Sequence, residues 1–153
     1  MPARIHTALA SATAATSNDA PGSPATSDEI RVLLVDDNLA TLARVATALA
    51  PGCDIVGAVR DGVAALAAAR ELTPDVIVLD VSMPGMNGFE LAARLRQVGS
   101  EAALVFLTVH DEQAFVMAAK EVGALGYVEK PRLAVDLLHA VREARAGRPF
   151  FRR

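Results

Sequence analysis

The sequence predicts an α/β fold, a doubly wound parallel sheet with helices on both faces. Two observations carry this. Short apolar runs and amphipathic helical patterns alternate five times between Ile30 and Gly147. The run Val76-Ile77-Val78-Leu79 is also apolar without a break, as expected of a strand covered on both faces in a parallel sheet.

The elements follow in order. Residues 30–35 form the first strand, which ends in Asp36-Asp37. Leu42, Val45, Ala46 and Leu49 fall at helical spacing, and Pro51-Gly52 stops that helix. Residues 54–59 read as the second strand. Asp61 can cap the next helix, whose inward face is expected at Val63, Leu66 and Ala67. Thr73-Pro74 breaks it and leads into the strand that ends at Asp80. After the loop Val81 to Gly88, Asn87 or Gly88 opens a helix with Gly88, Leu91, Ala92 and Leu95 inward. Residues 102–107 form the fourth strand, ending at Thr108. Asp111 can cap a helix through Phe115, Ala118, Ala119 and Val122. Residues 124–128 are a short fifth strand, followed by Glu129-Lys130-Pro131. The last helix carries Ala134, Leu137, Leu138 and Val141 on one face and stops near Gly147. Five strands without a second half suggest the flavodoxin-like (βα)5 order 2-1-3-4-5.

Length and composition bound the rest. The chain of 153 residues divides into an Ala/Ser/Thr/Pro-rich tail (1–28), one domain (29–147) and a short C-terminal tail (148–153). The first tail has too little apolar surface to offset chain entropy, so disorder is expected. A signal peptide is the alternative there, with Arg4 as a weak start and an apolar stretch interrupted by His6, Thr7, Ser11 and Thr13. The composition, 52% hydrophobic and 22% charged, is enough for a core. A net charge of −3 gives no general attraction for nucleic acid. The one cysteine, Cys53, excludes an internal disulfide and fits a reducing, cytoplasmic setting. No apolar run approaches the roughly 18–20 residues of a membrane span.

In the order 2-1-3-4-5, one sheet edge gathers Asp36 and Asp37, Asp80, Thr108 and Lys130 from four strand ends. Ligand chemistry in open α/β sheets collects at that edge. Three carboxylates together repel and attract a cation. Hard oxygen donors, few in number, suit Mg²⁺. Asp80 can then act as a nucleophile toward phosphorus, with Lys130 supplying charge and Thr108 a hydroxyl. Singly, each residue has an ordinary role. Asp36 or Asp37 would cap a helix, Lys130 would be solvated and Tyr127 would be a core aromatic.

Together they carry a resemblance. Asp36-Asp37, Asp80 with Met83-Pro84-Gly85-Met86-Asn87-Gly88, Thr108, and Tyr127 three residues before Lys130-Pro131 stand at the spacing of a known family. The chain from about Ile30 to Gly147 resembles the receiver domain of two-component response regulators. The resemblance implies Mg²⁺ held by Asp36 (through water), Asp37, Asp80 and the Ser82 carbonyl. It implies phosphoryl transfer to Asp80 from a sensor histidine kinase or phosphotransfer protein, and little turnover beyond slow self-dephosphorylation. It also implies a cis Lys130-Pro131 bond aiming the lysine at Asp80, the alternative from the residues alone being a trans Pro at the first helical turn, and a switch in which Thr108 moves and Tyr127 rotates in. Ser82 and His110 would set the phosphoryl lifetime; for His110 the alternative is an ordinary surface residue. Val109, bulkier than many receivers carry there, would restrict small phosphodonors. The region from Gly123 to Gly147 is similar to LuxR-type receivers, which usually continue into a DNA-binding domain. No output domain fits after Gly147, so the reading is a single-domain receiver or the receiver half of a longer regulator. An exposed patch on the last helices could support a homodimer, with Phe150 and Phe151 taking part or packing back on the sheet.

The rivals are weaker. A phosphohydrolase of the haloacid-dehalogenase kind needs two Asp two residues apart after the first strand, and here they are adjacent. A dinucleotide site would need G-x-G-x-x-G after that strand, which is missing.

Overall fold

The computed structural model describes residues 29–151. The expectations for 1–28 therefore lie outside the described residues. The elements are β1 (Ile30–Val35), α1 (Leu39–Leu49), β2 (Cys53–Val59), α2 (Gly62–Leu72), β3 (Val76–Leu79), α3 (Gly88–Gln97), β4 (Ala103–Thr108), α4 (Gln113–Glu121), β5 (Gly126–Glu129), α5 (Leu133–Arg145) and β6 (Phe150–Phe151). A 3-10 turn, Lys130–Arg132, joins β5 to α5. All strand pairings are parallel, in the order β2-β1-β3-β4-β5-β6. The expected 2-1-3-4-5 sheet is present with one strand added. The segment expected to be a tail after Gly147 turns back and pairs with β5.

The central strand explains the two layers. All four residues of β3 are buried, and they alternate between faces. Val76 and Val78 join a core with Val32, Leu34, Leu42, Val45 and Leu49, closed by Leu133, Leu137 and Val141. Ile77 and Leu79 join the opposite core with Leu33, Leu91, Leu95, Leu104 and Phe106. So α1 and α5 cover one face and α2, α3 and α4 the other. Each fully buried aliphatic side chain contributes about 1.5–3 kcal/mol.

Helix starts decide which polar groups remain for other work. Asn38, not Asp36 or Asp37, caps α1: its side chain accepts from the Thr41 N–H at 2.9 Å. Both aspartates are thereby left out of the cap. Asp61 caps α2 as expected, accepting from Ala64 N–H at 2.8 Å. Asn87 and Glu90 form a reciprocal capping box at α3, with bonds of 2.9 and 3.0 Å.

Several expectations are corrected. The N-cap position of α4 is Glu112, without a side-chain bond. Asp111 stands one residue too early to reach the first free N–H groups. In α2 the buried residues are Gly62, Ala65 and Ala69, while Val63 is 73% exposed. This alanine-rich helix packs closely through its small residues, and hydrophobicity offers little contrast between its faces. In α5, Leu133 and Asp136 are buried and Ala134 is exposed. The phase of that helix is set one residue earlier than the pattern suggests. In α4, Val116 and Ala119 are buried, and Phe115, Ala118 and Val122 are half-buried. Every peptide bond among the described residues is trans, so the expected cis Lys130-Pro131 bond is absent. Pro131 instead lies in the first turn of a 3-10 segment, where its fixed φ fits and its missing N–H costs nothing.

Gly88 is where the loop after β3 meets the start of α3. Its N–H donates to the Val81 carbonyl at 2.7 Å. A Cβ there would collide with the Asp80 carbonyl oxygen and sit 2.9 Å from Val81 Cα, both of them backbone. Gly88→Ala is therefore expected to destabilise the domain by about 3 kcal/mol. Urea denaturation checks this, and a loss below about 1 kcal/mol would contradict it.

Candidate functional site

The carboxyl edge of the sheet is held by ladder bonds at the strand tips. Asp36 N–H donates to Val59 O and Asp80 N–H donates to Val35 O, each at 3.1 Å. These bonds hold the two aspartates at adjacent tips of β1 and β3. Asp36 and Asp80 are 4% and 5% exposed, and Asp37 is half-buried. Ligand oxygens of Asp36, Asp37 and Asp80 all lie within 4.8 Å of one another.

Lys130 enters from the end of β5. Its Nζ lies 2.9 Å from Asp36 Oδ2 and 3.1 Å from Asp80 Oδ2. The lysine thus reaches Asp80 across a trans peptide. Asp36 Oδ1 also accepts from Asn38 N–H at 2.8 Å, and Asp80 Oδ1 from Ser82 N–H at 3.3 Å.

One ammonium faces three carboxylates, and two of those are buried. Burial pushes the Asp80 carboxyl above its ordinary value, and the bond and charge of Lys130 offset this only in part. Burial alone would lower the Lys130 ammonium. Its hydrogen bonds to Asp36 and Asp80 outweigh that and raise it. The donor set fits a hard divalent cation: several carboxylate oxygens, close together and short of positive charge, with no sulfur or imidazole among them.

The other expected residues form a second group. Thr108 is fully buried, and its hydroxyl oxygen accepts from His110 N–H at 3.2 Å. Ser82 Oγ and His110 Nε2 lie 2.8 Å apart. The Tyr127 hydroxyl donates to the His110 carbonyl at 2.7 Å. Tyr127 is 4% exposed, and burial, with Glu112 the largest of several nearby acids, raises its hydroxyl to about 12. The Tyr127 ring is therefore already inside in this structure. Val109 joins neither group and is 66% exposed.

Sequence reasoning did not find two contacts. The His110 ring stacks on Phe115, with centroids 4.3 Å apart and planes 14° apart. Nothing in the sequence fixes the phase of α4 well enough to place that ring. The Ser82–His110 contact was within reach. Ser82 stands two positions past Asp80 and His110 two past Thr108, and β3 and β4 are neighbours.

The sign of the pH effect follows from Asp80. Its folded-state pKa lies above the unfolded value, so the native state binds more protons between the two. Stability contributed this way is lost as pH rises through that window. With divalent ions chelated at pH 7, Asp80→Asn is expected to be more stable than wild type by about 1 kcal/mol. The gap should shrink toward about pH 4, near the ordinary carboxylate value. A gap that widens on acidification in chemical denaturation would contradict this.

A parallel sheet in this order, with an acidic pair, a central aspartate and a lysine at one edge, has the architecture of a receiver domain. The response regulator receiver domain model matches residues 32–142, and the chain belongs to that family. It is 36% identical over 118 residues to the nitrate/nitrite response regulator protein NarL of Escherichia coli K12, covering 76% of this chain and 55% of that protein. The signal receiver domain of NarL from Mycobacterium tuberculosis is 33% identical with a TM-score of 0.75, covering 79% of this chain and 99% of that one. A LuxR-family two-component response regulator from an Aurantimonas species is 34% identical with a TM-score of 0.73, covering 80% and 89%. The chain spans a little over half the length of the curated relatives it matches, 55% of one and 58% of another. No helix among the described residues is long and apolar enough to cross a membrane.

Proposed function

We propose that Asp80 accepts a phosphoryl group from a phosphohistidine on a sensor histidine kinase or phosphotransfer protein. The supporting observation is that Asp80 is buried at the tip of the central strand, with Lys130 3.1 Å from one of its oxygens. In the step, a carboxylate oxygen of Asp80 bonds to phosphorus as the P–N bond breaks. The leaving imidazole takes up a proton. Mg²⁺ would be held by Asp36 (through water), Asp37, Asp80 and the Ser82 carbonyl, and when bound it supplies charge neutralisation for the phosphoryl oxygens. Lys130 moves its ammonium from the carboxylate to the new phosphoryl oxygens. Asp36 then keeps the lysine oriented.

The same reading extends to the signal. Thr108 would exchange its bond with His110 N–H for one to a phosphoryl oxygen. Because His110 is held by Tyr127 and Ser82, this movement repacks the surface of α4, β5 and α5. That surface would serve the output partner or a homodimer. Ser82 and His110 bridge the mouth beside Asp80 and so control the entry of water and the lifetime of the acyl phosphate. The setting is cytoplasmic, with no membrane or nucleic-acid contact by these residues. A second reading, the receiver half of a DNA-binding regulator, is favoured by the greater length of the curated relatives.

Phosphotransfer tests the core of this. Wild type with Mg²⁺ is expected to take label from a phosphorylated histidine kinase. Asp80→Asn, and wild type in excess chelator, should take at least about 100-fold less. Label on Asp80→Asn at the wild-type rate would reject the assignment. In the same assay with acetyl phosphate, Val109→Ala should label faster than wild type if a side chain of this size restricts access of small donors. Equal rates would remove Val109 from the account.

A further inference from the structure

After α5 the chain reverses at Gly147, which has φ +83. Arg148 locks the reversal. Its guanidinium donates to both Glu143 carboxylate oxygens at 2.7 and 3.2 Å, and its N–H donates to Glu143 O at 2.8 Å. The Phe150 N–H then donates to Leu125 O at 2.7 Å, and the two residues of β6 pair with β5, Gly126 with Phe150 and Tyr127 with Phe151.

Successive strand residues point to opposite faces, so the two phenylalanines straddle the sheet. Phe150 packs on the core under α5 and meets the His139 ring edge-on at 5.0 Å. Phe151 packs on the core that holds Val116, Ala119 and Tyr127, with Lys120 Nζ of α4 5.0 Å from its ring centroid. Residues 148–151 thus touch α4, β5 and α5 together. They also cover the β5 edge, which would otherwise present unpaired backbone groups. Apart from the exposed Arg148–Glu143 pair, which contributes little, two residues of ladder and two half-buried rings hold this segment, which places it at the low end of local stability.

A continuous run of contacts leads from the segment to the phosphoryl site. Phe151 pairs with Tyr127, and the Tyr127 hydroxyl donates to His110 O. The His110 imidazole meets Ser82 Oγ, and Ser82 N–H donates to Asp80 Oδ1. We propose that residues 148–151 form a releasable strap over the β5 edge, and that its docking is coupled through Tyr127 and His110 to the loops around Asp80. When docked, the strap holds Tyr127 inside and the His110–Ser82 bridge closed. When released, it loosens the bridge and uncovers the β5 edge. Coupling of this kind is reciprocal, so disturbing either end changes the other.

The proposal rests on the receiver reading only for what the coupling is used for, and its test needs no label at Asp80. Amide NMR of the metal-free full chain compares wild type with the double variant Phe150→Ser, Phe151→Ser and with Phe151→Leu. The double variant should keep cooperative melting and shift the His110 and Ser82 signals, at the far end of the contacts, while Phe151→Leu leaves them in place. Unmoved His110 and Ser82 signals, with the 148–151 amides exchanging freely, would overturn the proposal. If the double variant does not fold, Tyr127→Phe decides from the other end, because it removes only the hydroxyl bonded to His110. It should speed Phe150 amide exchange by roughly three- to tenfold, and unchanged exchange overturns the coupling. A chain that passes these arms but takes no phosphoryl group keeps the strap and loses the proposed function.

Discussion

Two buried carboxylates share one ammonium, and the rest of the site answers to that imbalance. Asp36 and Asp80 are held at adjacent strand tips by backbone bonds to Val59 and Val35, so neither can move away from the other. Lys130 neutralises part of the repulsion from between them. The remaining negative charge, with Asp37 at its rim, would favour a hard cation at this edge. The raised Asp80 carboxyl has the same origin: burial costs more than Lys130 returns. A divalent cation at this edge would relieve that excess of negative charge.

The second group of residues gives the edge a connection to the surface. His110 is its centre. Its N–H donates to the Thr108 hydroxyl, its carbonyl accepts from Tyr127, its imidazole meets Ser82 and its ring stacks on Phe115. Each contact belongs to a different element, namely β4, β5, the loop after β3, and α4. A change at Asp80 that drew Thr108 away from the His110 N–H, as proposed above, would disturb all of them together. A packed core has few intermediate positions to offer, so such a disturbance resolves into discrete arrangements.

Much of this was legible in the sequence, for physical reasons that also explain the misses. β3 was legible because a strand buried on both faces must be apolar throughout, and Val76 to Leu79 are all buried. Asp36, Asp37, Asp80 and Lys130 were legible as a set because parallel topology brings strand tips to one edge whatever the side-chain details. The inward face of α2 was missed because Ala and Leu at seven of its eleven positions leave the phase to close packing. The Lys130-Pro131 bond was expected to be cis to aim the lysine, yet across a trans bond Lys130 Nζ stands 3.1 Å from Asp80 Oδ2. β6 was missed as a strand because two residues are too few for any periodicity, although packing of Phe150 and Phe151 back on the sheet was one of the two expectations. Its two phenylalanines belong there because each covers one face of the sheet.

The most direct measurement of the central claim is the position and cation dependence of the covalent label. After phosphotransfer, the acyl phosphate can be trapped by borohydride reduction and located by peptide mass spectrometry. The account predicts the modification on Asp80 alone, and none when divalent ions are chelated before transfer. Label on another side chain, or undiminished label on Asp80 in chelator, would contradict it.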